Sequence, residues 1–227
     1  MRQLILISLA FILIKEFSLA ATSTSDNKYL NDMDYYDSGV DFYENGEFKK
    51  SFIVFFNLSE KGNKDAIFNL SNMYFEGIGT TQDYSNSLKY TWLCSLNGNK
   101  KCLNKIKSIK DKLEDDEFLK ISTTIPEILE NRYVNDNDPI SAFQLGYWYE
   151  KISPEIDFEK SYLWYSVSVS SGVYKAMKMR DRVGKLIEKK KITEIQLQAN
   201  EILTKNKYFN SKKDVEWFLK FTGLSTD

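Results

Sequence analysis

One pattern of residue types occurs three times along this 227-residue sequence, and it restricts the fold more than any other feature. Each occurrence contains a glycine, from which the other positions are counted. A serine lies 11 positions before it, a large apolar residue 8 positions before it, and an alanine or cysteine 4 positions after it. The serines lie 36 and 74 positions apart, so a unit of 36–37 residues recurs, which indicates a repeat architecture. The four columns hold Ser51, Ser87 and Ser161; Val54, Tyr90 and Trp164; Gly62, Gly98 and Gly172; and Ala66, Cys102 and Ala176.

These columns predict helices that pack closely and end in glycine turns. A serine three positions before a large residue lies on the same helical face, so a neighbouring helix can approach there. A glycine just past a helix adopts the left-handed conformation that caps the C-terminus. Asp83 and Asp157, four positions before two of the serines, are predicted N-caps because their carboxylates can accept backbone N–H bonds.

A second pattern precedes two of these helices and predicts a partner helix followed by a tight turn, for which glycine supplies positive φ. Apolar positions after Cys102 also reappear 74 residues later, so a block at about 66–138 is expected to be duplicated at about 141–210. Helices are predicted near 30–44, 47–61, 65–76, 84–97, 101–113, 115–131, 138–150, 158–171, 174–188, 191–205 and 211–221, and no strand pattern competes. The second pattern comprises Ala66, Leu70, Tyr74, Gly77 and Gly79 in one block, and Ser141, Leu145, Gly146 and Tyr149 in the other.

The combined order of residues resembles the sel-one-like repeat, a relative of the tetratricopeptide repeat. The match covers 66–98 and 141–172, and the second half of a repeat at 39–62. Ser71 stands where a packing glycine is usual, and residues 151–154 replace the Gly-x-Gly turn. The resemblance implies an all-α, right-handed α-α superhelix of antiparallel helix pairs over 31–225. It also implies a scaffold or adaptor that binds a protein or peptide partner.

The first twenty residues are typical of a signal peptide. Arg2 precedes an apolar run of 11 residues at 4–14, and Ser18 and Ala20 place small residues at −3 and −1 before Ala21. The run is shorter than the roughly 20 residues that span a bilayer, although an uncleaved anchor is the alternative. We therefore expect cleavage near Ala20, a flexible lead-in at 21–30, a periplasmic or secreted protein, and no stable membrane insertion.

Cys94 and Cys102 lie eight positions apart, on either side of the turn at Gly98. This placement can bring the two Cα atoms within disulfide range, and an exported protein would oxidise the pair. The spacing also resembles that of exported, cysteine-containing sel-one-like proteins, so we expect a structural disulfide. The alternative is two buried thiols that fill small-residue columns.

Composition argues against common catalytic chemistry. The chain has no histidine, which removes Ser-His and Cys-His nucleophile pairs and the commonest ligand of transition metals. Its 31 Lys+Arg balance 32 Asp+Glu, which removes a general attraction to nucleic acid. We expect no metal, no cofactor, no catalytic residue and no nucleic-acid partner. Some related cysteine-rich proteins act on β-lactams, but the only Ser-x-x-Lys here, Ser25 to Lys28, lies in the lead-in.

Aromatic residues occur in short runs that one helix face cannot bury, because adjacent side chains point about 100° apart. Tyr147, Trp148, Tyr162 and Tyr165 are therefore expected to be partly exposed and to contact a partner. The alternative is that these rings seal contacts between neighbouring repeats. The resulting hypothesis is an exported protein-binding scaffold of the cell envelope; the alternatives are a glycan-binding module that uses these rings, or a weak β-lactam-binding or β-lactam-hydrolysing protein.

Overall fold

The computed structural model describes residues 32–205, and this range folds into helices without a β-strand. Ten α-helices follow one another, joined by short turns, with one π-helical turn after the seventh. They are α1 (Asp32–Glu44), α2 (Phe48–Glu60), α3 (Lys64–Glu76), α4 (Tyr84–Leu96), α5 (Lys100–Lys110), α6 (Asp115–Asn135), α7 (Pro139–Tyr147), the π-helical turn (Trp148–Ile152), α8 (Phe158–Ser170), α9 (Ala176–Gly184) and α10 (Lys189–Lys205).

Helices that are neighbours in sequence pack against each other through most of the array, as in α1–α2, α3–α4 and α7–α8. Two further contacts join second helices of successive pairs, α4 with α6 and α8 with α10. The prediction of an all-α solenoid of antiparallel helix pairs is confirmed. The predicted signal peptide at 1–20, the lead-in at 21–30 and the helix at 211–221 lie outside the described residues.

Helix positions repeat with the interval of the serine column. Helices α4 and α8 both have 13 residues, and their first residues, Tyr84 and Phe158, lie 74 positions apart. Helices α6 and α10 likewise begin 74 positions apart, at Asp115 and Lys189. The preceding helices are offset by 75, since α3 begins at Lys64 and α7 at Pro139.

The three repeat glycines lie in equivalent turns. Their φ angles are 81°, 91° and 90° for Gly62, Gly98 and Gly172. In each turn the glycine N–H donates to the carbonyl three residues earlier, and the next N–H donates to the carbonyl five residues earlier. This is the Schellman arrangement, in which left-handed glycine satisfies the last carbonyls of a helix. The Asp83 and Asp157 carboxylates cap α4 and α8 as predicted, by accepting from the backbone N–H three residues on.

The serine column marks the closest approach of paired helices. Ser51, Ser87 and Ser161 are fully buried, and each Oγ donates to a backbone carbonyl of the preceding helix. The three bonds are 2.7 Å to Gly39, 2.9 Å to Ser71 and 2.9 Å to Gly146. Serine in place of alanine therefore adds a hydrogen bond between the helices while it keeps the small volume that close packing needs.

The other repeat columns are also core positions. Leu70, Leu145, Ala66 and Ala176 are fully buried, and Tyr90 and Trp164 are nearly so. Tyr74 stacks on Tyr90 with ring centroids 5.6 Å apart, whereas Tyr149 lies half-buried at the start of the π-helical turn.

Two different turns follow α3 and α7. Gly77 and Gly79 have φ of 71° and 74°, and a Cβ on Gly79 would lie 2.3 Å from the Phe48 carbonyl oxygen. Only glycine fits this close backbone approach. The second block replaces the turn with the π-helical segment Trp148–Ile152, which is the departure that residues 151–154 indicated.

Cys94 and Cys102 form a disulfide with their Cα atoms 5.9 Å apart. It joins the last turn of α4 to the first turn of α5 and is fully buried. A link of this kind contributes about 2–4 kcal/mol to the free energy of unfolding. Of the two sequence interpretations, the disulfide is the one that the structure adopts. Among the described residues, no helix is long and apolar enough to cross a bilayer.

Candidate functional site

Three of the four aromatic rings expected on the surface are buried. The exposed fractions of Trp148, Tyr162 and Tyr165 are 1%, 8% and 0%, so the prediction that they are exposed is wrong. Helix α8 has neighbours on several sides, α7, α9 and α10, and therefore buries residues on more than one face. Trp148 instead packs edge-on against Trp92 of α4 at 5.2 Å. Tyr147 alone stays partly exposed, and it packs against two core clusters.

The most promising recognition surface is a cleft between α1 and α3, here called the amide groove, with a volume of about 390 Å³. One wall is aromatic and aliphatic, and the other carries two asparagines three positions apart on one face of α3. Acidic side chains stand at its rim. Its lining consists of Tyr36, Val40, Tyr43 and Glu44 of α1, Phe55 of α2, Asn69, Asn72, Met73 and Glu76 of α3, and Ile78.

Each asparagine uses one side-chain group in a hydrogen bond and leaves its other group available. The Asn69 Nδ2 donates to the Tyr36 hydroxyl at 3.0 Å, so its Oδ1 remains an acceptor. The Asn72 Oδ1 accepts from the Lys105 ammonium at 2.7 Å, so its Nδ2 remains a donor. An ammonium group has no acceptor, which fixes the orientation of the Asn72 amide. The groove wall thus presents one acceptor and one donor side by side.

Lys105 of α5 covers one side of the Asn72 side-chain amide. Its Nζ lies 4.4 Å from the centre of the Phe75 ring, a cation–π contact. Burial lowers the pKa of Lys105, while attraction to Glu76 acts in the opposite direction. Burial likewise raises the pKa of the Tyr36 hydroxyl. Both polar groups that hold the asparagines are therefore partly removed from water, which strengthens their hydrogen bonds.

A larger cleft of about 920 Å³ lies between α6, the loop before α8 and the start of α10. Its lining includes Trp148 and Tyr149, and its lysines form ion pairs with nearby carboxylates. Lys160 bonds Asp157 at 3.4 Å and lies over the Tyr149 ring at 5.2 Å. Burial, Glu130 and Asp157 raise the pKa of Tyr149 to about 12. All three lysines that line this cleft are in ion pairs, so none of them is free to bind a ligand.

Glu150 is a buried carboxylate that the sequence analysis did not single out. It accepts from the Tyr165 hydroxyl at 2.9 Å and from Arg182 Nη2 at 2.5 Å, and Lys151 lies 3.3 Å away. Burial is the main cause that raises the Tyr165 pKa, and the bond to Glu150 adds to it. The network connects the π-helical turn to α8 and α9, and removal of one partner would leave an uncompensated buried charge.

The amide groove was also missed, since Asn69 and Asn72 look like ordinary polar residues on an amphipathic helix. The available signal was their spacing of three, together with the lysine 33 positions after Asn72. Among residues 32–205 there is no group of three or more carboxylates or cysteines that could hold a metal ion. Ser25 and Lys28 lie outside the described part of the chain.

No family model matches this chain, and no curated protein matches it in sequence. Among solved structures, a protective antigen present in uropathogenic Escherichia coli strains, described as displaying an SLR fold, is similar over 87% of this chain and 49% of its own. The two are 14% identical, with a TM-score of 0.34. This chain therefore spans about half the length of that protein.

Proposed function

We propose that this protein is an exported repeat scaffold that binds an extended segment of a partner protein in the amide groove. The observation that carries the proposal is the unused acceptor on Asn69 beside the unused donor on Asn72. A peptide unit offers one N–H donor and one C=O acceptor, so these two amides can pair with a partner's main chain. Tyr36, Tyr43 and Phe55 supply the apolar contacts for a side chain of the same segment.

Export is part of the proposal and is supported by two features. The first twenty residues are typical of a signal peptide, and the disulfide is of the kind that persists in oxidising compartments. The glycan alternative relied on exposed rings, and we favour the protein partner because three of the four rings, Trp148, Tyr162 and Tyr165, are buried. No observation on the described residues favours the β-lactam alternative.

The test begins with a photo-crosslinking residue placed in the groove at Tyr43 or, as a control, outside it at Asn57. Crosslinking in cells that export the protein, followed by mass spectrometry, is expected to identify one partner segment from the groove position only. A synthetic peptide of that segment then gives a Kd by fluorescence anisotropy.

Asn69→Ala combined with Asn72→Ala is expected to weaken peptide binding roughly tenfold or more, because two hydrogen bonds of about 0.5–1.5 kcal/mol each are lost. The matched control replaces two exposed asparagines away from the groove, Asn57→Ala and Asn104→Ala, and should leave the Kd unchanged. Equal crosslinking from Asn57, or equal Kd values for the two double variants, would refute the proposal.

A further inference from the structure

We infer that copies of this chain associate head to tail, with the outer face of α1 in one copy docked on the α9–α10 end of another. The two ends of the described range carry opposite charge and exposed apolar side chains. This association goes beyond the proposed peptide binding, although Tyr43 and Glu44 belong to both surfaces.

The first end, here called the acidic end, is the exposed face of α1 formed by Asp37, Asp41 and Glu44, at positions i, i+4 and i+7. These three carboxylates have no ion pair within residues 32–205. Segment 32–47 contains six acidic residues and no lysine or arginine. Gly39 of α1 and Ser71 of α3 are equivalent positions. Two residues after Ser71 lies the buried Met73, whereas two residues after Gly39 lies the exposed Asp41. This face therefore suits a cationic partner better than an apolar repeat.

The second end, here called the basic end, comprises α9 and the start of α10. Segment 175–191 contains eight lysines and arginines against two acidic residues. Lys178, Lys185 and Lys189 are exposed and have no ion pair within the described range. Their charges are thus available to an approaching carboxylate.

Apolar side chains beside both sets of charges are exposed. Next to the basic end, Tyr174 before α9 is 73% exposed and Leu197 in the middle of α10 is 62% exposed. Leu197 lies 74 positions after Thr123, which lines the cleft between α6 and the repeat that follows it. Tyr43 and Ile53 are exposed on the first helix pair. An apolar centre with a charged rim is the usual composition of a protein interface.

Charge complementarity indicates that the partner at each end is a second copy of this chain. The acidic segment has a formal charge of −6 and the basic segment +6, although the whole chain has a net charge of only −1. Opposite charges at opposite ends of one molecule attract end to end over about 10 Å at 0.1 M salt. A head-to-tail contact uses different surfaces on the two copies, so it repeats into longer assemblies.

Sedimentation velocity of the full chain tests this inference. At 50 mM salt the weight-average mass is expected to rise with concentration beyond two chains, and at 500 mM salt it is expected to fall back towards one. A neutralised acidic end (D37N, D41N and E44Q) and a neutralised basic end (K178Q and K185Q) should each give monomers alone.

A mixture of the two neutralised variants tests directly whether one end binds the other. Each retains one intact end, so an equimolar mixture is expected to form a one-to-one complex that grows no further. A control with the same loss of lysine charge on α5 and in the turn after it, K107Q and K112Q, should assemble like the unmodified chain. A chain that stays monomeric at low salt, as it would if residues outside 32–205 covered these ends, overturns the inference. Symmetric dimers that survive either neutralisation overturn it as well.

Discussion

Close approach of paired helices is achieved here with two different combinations of residues. In two pairs a glycine faces a large ring four positions after the buried serine: Gly39 faces Phe55, and Gly146 faces Tyr165. A Cβ on Gly146 would lie 2.5 Å from Tyr165 Cδ1, so no larger residue fits. In the third pair with a buried serine, α3–α4, Ser71 faces Thr91, and their hydroxyls form a hydrogen bond of 2.6 Å. The smaller threonine provides the space that the serine side chain occupies.

This exchange predicts a coupled pair of substitutions. Thr91→Phe alone is expected to lower the free energy of unfolding by about 1–3 kcal/mol, because the ring overlaps the Ser71 side chain. Adding Ser71→Gly recreates the Gly39–Phe55 combination and should recover more than about 0.5 kcal/mol. Urea unfolding of the four proteins in the cycle measures both effects. Strictly additive changes would show that the two positions do not compensate each other.

Among single residues, burial was the property that the sequence predicted least well. The aromatic runs around Trp148 and Tyr162 contain more rings than one helix face can bury. The prediction that some of them are exposed therefore holds only for a helix that packs on one face. Helix α8 contacts several helices, so rings on more than one side are enclosed. The number of packed faces depends on how helices far apart in sequence are arranged, and residue spacing does not encode it.

At the scale of elements, the connection from α8 to α9 departs from its counterpart between α4 and α5. Ser168 and Ala176 lie 74 positions after Cys94 and Cys102, so a serine and an alanine occupy the positions of the disulfide. Both are fully buried, and the Ser168 Oγ has no hydrogen-bond partner. The two places share one hydrogen bond, since the N–H groups of Cys102 and Ala176 each donate to the carbonyl three residues earlier. They differ in where the helix starts, at Lys100 for α5 and at Ala176 for α9.

We therefore predict that Ser168→Cys with Ala176→Cys forms a second disulfide in the exported protein. The link should raise the free energy of unfolding by about 2–3 kcal/mol, as expected for a loop of this length. Free-thiol titration under denaturing conditions and thermal unfolding with and without reductant provide the measurements. Ser168→Cys alone is the control and should show one free thiol with no effect of reductant on that site. Two titratable thiols in the double variant would mean that the two connections differ in geometry.

Across residues 32–205, the share of buried residues differs strongly from one helix to another. Nearly every residue from Ser87 to Leu96 of α4 is buried, whereas α9 buries only Ala176 and Val183. Helices α3 and α5 have side-chain N-caps from Asn63 and Asn99, but α9 has none. Because such a cap contributes about 1 kcal/mol, its absence weakens the start of α9 further.

Amide hydrogen exchange should therefore differ between α4 and α9. Amides of α4 are expected to exchange more slowly than those of α9, because local opening costs least where few contacts are buried. Mass spectrometry of peptides from the two helices measures the difference. Equal protection of α4 and α9 would contradict this view of how stability is distributed.

The sequence by itself determined the helix pairs, their interval and their turns. Ser51, Gly62 and Asp83 report on helix faces, C-terminal caps and N-terminal caps, which depend on neighbours within a few positions. It also brought Cys94 near Cys102, since only one turn separates them. The tertiary structure decided which rings are enclosed, and it placed Tyr36, Asn69, Asn72 and Lys105 together. Those residues come from three helices, and only packing of one pair on the next fixes the distances between them.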